Sequence, residues 1–400
     1  MISYEDYIRD SVLAKQEVDL FLDSSQPRWA QYDPELGYIL GNYMPRDGIG
    51  GCLTISTVTG NGARTGIVYA NRPCRINTYG NSFTQCHQVS DHETWQEYLA
   101  AHLGEPIRNF GMGGYGFYQS YRRMVRTEKG PDGAEYVMLY LWGDDHYRSV
   151  LRCRHVLTHR WWNHVGGRMF HGNFWANLEM DLTSGVFFEK DCLLPTPASL
   201  YRMTDPDFMV HALRDDWMLQ MSAFVAGHTS TLDVKALNRL AELLHCPPVT
   251  APDGEPLKAQ VNLIRDCYAF AATKYIIDRA AEFAQTRGKK LMIILFCPRA
   301  TRQLLAGGER YEQTVVDYLR ESGMRYFDMN LVHVEDFKSF RLSVDDYLKR
   351  YLIGHYSPAG NHFFAFAIKN AVVDWLGPKP ITYRPAQQAL IDFGGYLVGA

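Results

Sequence analysis

The chain has 400 residues, 46% of them hydrophobic and 13% aromatic, and a formal net charge of −3. That length supports one large domain or two smaller ones with a substantial core, and the near-neutral charge excludes the basic surface that nucleic acid requires. The eight cysteines (52, 74, 86, 153, 192, 246, 267 and 297) form no CxxC pair, which excludes a zinc ribbon or a disulfide framework and reads as reduced thiols.

The N-terminus, MISYEDYIRDSVLAKQEVDLFLD, lacks a basic region followed by an apolar run. No stretch offers the roughly 18 apolar residues of a membrane helix. The expectation is a soluble, cytoplasmic protein without a membrane span. Residues 3–22 read as one amphipathic helix, with Tyr4, Tyr7, Ile8, Val12, Leu13, Val18 and Leu22 near helical spacing. Residues 24–50, rich in Pro, Gly and Asp, read as an extended arm. Residues 53–58 and 66–69, split by Thr59-Gly60-Asn61-Gly62, read as a hairpin. These pieces make residues 1–73 an N-terminal extension.

From residue 74 strands and helices alternate. Strands are expected over 74–79, 107–110, 136–142, 291–296 and 325–329, and helices over 93–103, 117–126, 257–285, 310–321, 344–352 and 359–375. Parallel strands need crossovers, so this alternation predicts a parallel, doubly wound sheet. Residues 151–255 interrupt it with aromatic runs (Trp161-Trp162, Phe174-Trp175, Phe187-Phe188) and predict a β-rich insertion followed by a helix over 208–226. Its aromatics either shape a cleft or form its own core. His155, His159, His164 and His171 lack neighbouring carboxylates and are not read as a metal site.

Ligands bind at the carboxyl ends of the strands in such sheets. Four loops meet there. The first holds Ser82, a nucleophile or a simple helix cap. The second, Gly111-Met112-Gly113-Gly114-Tyr115-Gly116, can offer bare backbone N–H groups to an anion. The third holds Asp144-Asp145, which can also cap a helix beginning near His146, and the fourth holds His355, a general base.

In this order the blocks resemble the SGNH (GDSL-like) hydrolases. Gly80-Asn81-Ser82-Phe83-Thr84 is similar to GDSFT, residues 109–116 to the second block, Trp142-Gly143-Asp144-Asp145 to GxND, and residues 354–360 to the block carrying the catalytic histidine. The match covers about 74–147 and 257–375. The resemblance implies a three-layer αβα, flavodoxin-like fold with a five-stranded parallel sheet, built from 74–150 and 256–378, with 379–400 as a tail. It implies Ser82 as nucleophile, His355 as base, and Ser82, Gly114 and Asp144 around the oxyanion. It implies a serine esterase acting on small-molecule or carbohydrate O-acyl esters, acetyl esters among them, with no cofactor and no metal. A transferase of the same fold and an inactive binding protein are the alternatives, and the oligomeric state is not legible.

Three features depart from the family pattern. Asn81 replaces the GDS aspartate. Asp144 replaces a neutral donor, and a carboxylate there would repel an oxyanion unless it is protonated, turned away, or relieved by His146. The residues where the family carries its acid are Leu352 and Ile353. The acid is then Asp346, Asp345 or Asp328, or a Ser–His dyad works without one.

Overall fold

The structure, a computed structural model, describes residues 2–25, 27–162 and 172–384, the side chains of 160–162 excepted. Five strands form the central sheet: β1 (Ile76–Tyr79), β2 (Ile107–Asn109), β3 (Tyr136–Leu141), β4 (Lys290–Leu295) and β5 (Tyr326–Asp328). Every pairing is parallel and the order is β2-β1-β3-β4-β5. This is the doubly wound order with a switch point between β1 and β3, where ligand crevices form.

The apolar runs of β3 and β4 are continuous because both faces are covered. Val137, Leu139 and Leu141 join Ile293 and Leu295 in one core. Tyr136, Met138 and Tyr140 join Met292 and Ile294 in the other. The first core takes side chains from Phe117–Glu128, Gly254–Thr286 and Gln313–Glu321. The second takes them from Trp95–Leu103, Met329–Phe337 and Pro358–Trp375. Trp95 and Leu99 are fully buried, and Trp95 packs on Phe364 with ring centroids 4.9 Å apart. Each such side chain is worth about 1.5–3 kcal/mol of burial. Three layers result, as expected.

The N-terminal extension departs from the sequence reading. Residues 3–22 form two helices, Tyr4–Arg9 and Lys15–Leu22. Leu13 N–H is drawn to the Met203 carbonyl, and Glu17 reaches back to Ala14 N–H to start the second helix. The hairpin lies earlier than expected, at Ala30–Asp33 and Gly37–Leu40. Asp33 Oδ1 builds its turn by accepting the Glu35 and Leu36 N–H groups. Among the described residues, 53–69 carry only single bridges: Tyr43 with Ser56, Val58 with Arg64, and Arg64 with Asn109.

The insertion is mostly helical among the described residues, not β-rich. One hairpin, Asn177–Met180 with Phe187–Lys190, is joined by helices His155–Trp162, Pro206–Leu213, Trp217–Val225 and Val234–Leu243. Asp216 divides the expected 208–226 helix by capping the Leu219 N–H. Phe174 and Trp175 are buried in the main core, so this aromatic run is packing, whereas Phe188 is exposed. His155 Nε2 meets the Ser11 carbonyl and His159 Nδ1 the Val156 carbonyl; His164 and His171 lie outside the described residues. Helices Pro298–Leu305 and Met329–Phe337 were not anticipated. All eight cysteines are free, and no helix among the described residues is long and apolar enough to cross a membrane.

Candidate active site

The turn after β1 decides what Ser82 does. Asn81, in extended backbone, caps the short helix Ser82–Gln85 by accepting the Phe83 N–H at 2.8 Å. Asn81 therefore does the capping, and the Ser82 hydroxyl is released from it. That hydroxyl lies 2.8 Å from His355 Nε2. The two residues are 273 positions apart in the chain. Arg64, buried, clamps the far side of this turn: it pairs with Asp91 at 2.9 Å and donates to the carbonyls of Gln85, Cys86 and Val89.

His355 sits in the loop between Val344–Lys349 and Pro358–Trp375. Its other ring nitrogen, Nδ1, lies 2.9 Å from Gln88 Oε1, and its backbone N–H donates to the same oxygen at 2.9 Å. A backbone N–H only donates, so the Gln88 amide must present oxygen there. The amide's other end agrees, with Nε2 donating to the Asp47 carbonyl at 3.1 Å. An acceptor facing Nδ1 places the imidazole proton on Nδ1 and leaves Nε2 with a lone pair toward the Ser82 hydroxyl. The hydrogen-bond pattern alone thus sets the base-competent tautomer. Gly354 makes the approach possible: its φ is +116°, and a Cβ there would lie 2.6 Å from Gln88 Oε1.

Burial pushes His355 down to about 3; His87 and Arg148 add to this, and Asp47 opposes it. The ring is neutral over most of the pH range. His87 packs on it with ring centroids 5.1 Å apart, and His87 Nε2 pairs with Asp47 Oδ2 at 3.0 Å.

The carboxylates expected to serve His355 lie elsewhere. Asp345 pairs with Arg302, and Asp346 with Ser343 and Lys349, both carboxylates exposed on the helix Val344–Lys349. Asp328 caps Met329–Phe337 and pairs with buried Arg310. Gln88 takes the position. It is neutral and stands outside any catalytic block, so no sequence signal singled it out.

The glycine loop is bound to the serine turn. Met112 N–H donates to the Gly80 carbonyl at 2.9 Å and Gly113 N–H to Gln85 Oε1 at 2.7 Å. Gly111 lies so close that a Cβ would stand 2.1 Å from Gln85 N. Among the described residues the N–H groups of Ser82 and Gly114 donate to no acceptor, the state required of oxyanion donors.

Asp144 does not occupy that place as a donor. Its side chain is 58% exposed and pairs with Arg148 Nη2 at 3.1 Å. Asp145 is the buried member. Its Oδ2 accepts from Asn81 Nδ2 at 2.5 Å and from Trp142 N–H at 2.9 Å, tying the third block to the residue before the nucleophile. Burial pushes Asp145 up to about 8, against Arg148, the Trp142 N–H and Asn81. Neither carboxylate serves as a side-chain cap for the short helix Asp145–Arg148. His146 points into the core, to Thr273 at 2.8 Å and Glu312 at 3.3 Å, and cannot stand in as an oxyanion donor. No protein-family model and no curated protein sequence matches the chain.

Proposed function

We propose that the protein is a serine ester hydrolase of the SGNH type that removes small O-acyl groups, acetyl among them, from small-molecule or carbohydrate esters. The observation that carries this reading is the 2.8 Å contact between Ser82 Oγ and the unprotonated nitrogen of His355. In this reading His355 Nε2 takes the Ser82 proton as Oγ attacks the ester carbonyl. The oxyanion lies toward the Ser82 and Gly114 N–H groups. The tetrahedral carbon then expels the alcohol, which receives the proton from His355 and leaves an acyl-serine. His355 next takes a proton from water, hydroxide adds to the acyl carbon, and Ser82 leaves with its proton restored. Gln88 fixes the ring throughout and accepts from Nδ1–H, a neutral hydrogen bond where an aspartate would supply a charged one.

The deciding experiment is labelling by a fluorophosphonate probe, which needs an activated serine, together with turnover of p-nitrophenyl acetate. Labelling and turnover that both vanish in Ser82→Ala support the proposal. A wild-type protein that takes no label would instead make the chain a binding protein of this architecture. Added alcohol or amine acceptors that divert the acyl group would make it a transferase.

A further inference from the structure

The base of the proposed Ser–His pair has an amide where a carboxylate would stabilise its cation. The carboxylate whose charge favours that cation is one layer further out, on the arm that precedes the sheet. Asp47 is fixed there by three contacts: its carbonyl accepts from Gln88 Nε2 at 3.1 Å, its Oδ1 accepts from the Thr54 hydroxyl at 2.6 Å, and its Oδ2 lies 3.0 Å from His87 Nε2. The hydrogen bonds from His87 and Thr54 outweigh burial and hold the Asp47 carboxyl below its usual value, so it is ionised at neutral pH. A carboxylate only accepts, so His87 Nε2 carries a proton and directs its N–H at Asp47. The face of the His87 ring packs on His355, tilted 35°. Trp29 meets the His87 ring at 5.6 Å and a 66° angle.

We propose that Asp47 is the displaced third member of the catalytic group: its carbonyl positions His355 through Gln88, and its carboxylate charge acts on the His355 imidazolium across the ring of His87. The inference rests on the esterase reading for its rate consequence, but not for its physical content. Positive charge on the neighbouring His87 ring opposes a cation on His355, and the Asp47 carboxylate favours one. The groups facing His355 are Ser82, Phe83, His87, Gln88 and Arg148, with Asp47 behind His87; those facing His87 are Asp47, Trp29 and His355. Asp47 is a positioning residue, because it touches neither substrate nor reacting atoms.

Two variants separate charge from shape. Asp47→Asn retains the backbone carbonyl for Gln88 and an oxygen for Thr54. The His355 titration, followed by NMR of its ring proton in the intact protein, is expected to move down by about one pH unit, with kcat down about tenfold and KM unchanged. His87→Phe keeps a ring against His355 but leaves Asp47 uncompensated, and the same titration is expected to move up. A His355 titration that stays in place in both folded variants overturns the proposal. So does a loss of activity in Asp47→Asn carried entirely by KM. Because the titration is read without substrate, failure of the esterase reading leaves this test intact.

Discussion

Exchanging Gln88 for Glu tests the site most directly, because it returns a carboxylate to the imidazole without moving an atom. Both hydrogen bonds to Oε1, from His355 N–H and Nδ1–H, are 2.9 Å and can be kept. A neutral bond contributes about 0.5–1.5 kcal/mol and one to a charged group about 1.5–3 kcal/mol, so the imidazolium gains about 1–1.5 kcal/mol. That corresponds to an increase in kcat of about five- to tenfold. The amide's other bond, Nε2–H to the Asp47 carbonyl, is lost and two oxygens then face each other, which costs about 1 kcal/mol of stability. The pH profile carries the sign. Activity needs neutral His355, and burial sets its acid limb low, toward about 3. A carboxylate favours the cation, so the limb must move up in Gln88→Glu. The same shift acts on stability. The folded-state value of His355 is below its unfolded value of about 6.5, so wild-type stability falls as pH drops from there toward the folded value. The variant should lose less over that window. Measurement of kcat/KM for p-nitrophenyl acetate against pH, with urea unfolding at neutral and acid pH, checks both. An acid limb that does not move, in a folded variant, would refute the Gln88–Nδ1 bond as the determinant of the base.

Ser82→Ala should abolish fluorophosphonate labelling while leaving the melting temperature within a few degrees, because Asn81, not Ser82, caps the turn. Asp144→Asn should change stability by less than about 1 kcal/mol, since it removes only a half-exposed ion pair with Arg148; esterase activity should be equal or higher, and a large fall would give Asp144 a task of its own. Gly354→Ala forces a Cβ against Gln88 Oε1 at a backbone angle that L side chains avoid. The expected costs are about 1–2 kcal/mol in chemical denaturation and a kcat loss exceeding the KM change.

The sheet was legible because buried parallel strands announce themselves as continuous apolar runs, as Tyr136–Leu141 does. The Ser82 and His355 loops were legible because glycines and a serine punctuate strand ends. What sequence reading missed is tertiary in origin. Gln88 carries no charge and no motif, and its role exists only because Gly354 lets its amide approach the histidine backbone. The hairpin at 30–40 was hidden by Asp33-Pro34, which looks like an arm until the Asp33 carboxylate is seen accepting from the turn. The insertion was misjudged because aromatic density was read as β-structure, whereas Phe174 and Trp175 are core filling between helices.

The distance along the chain between hydroxyl and imidazole has a consequence for the protein's birth. A ribosome adding about 5–20 residues per second needs roughly 14 to 55 seconds to pass from one to the other. Through that interval the nascent polypeptide carries its serine beside an arm and a turn that can already be in place, yet no base has been made. The Ser82–His355 contact can therefore form only after residue 355 has left the ribosome, however early the serine turn is made.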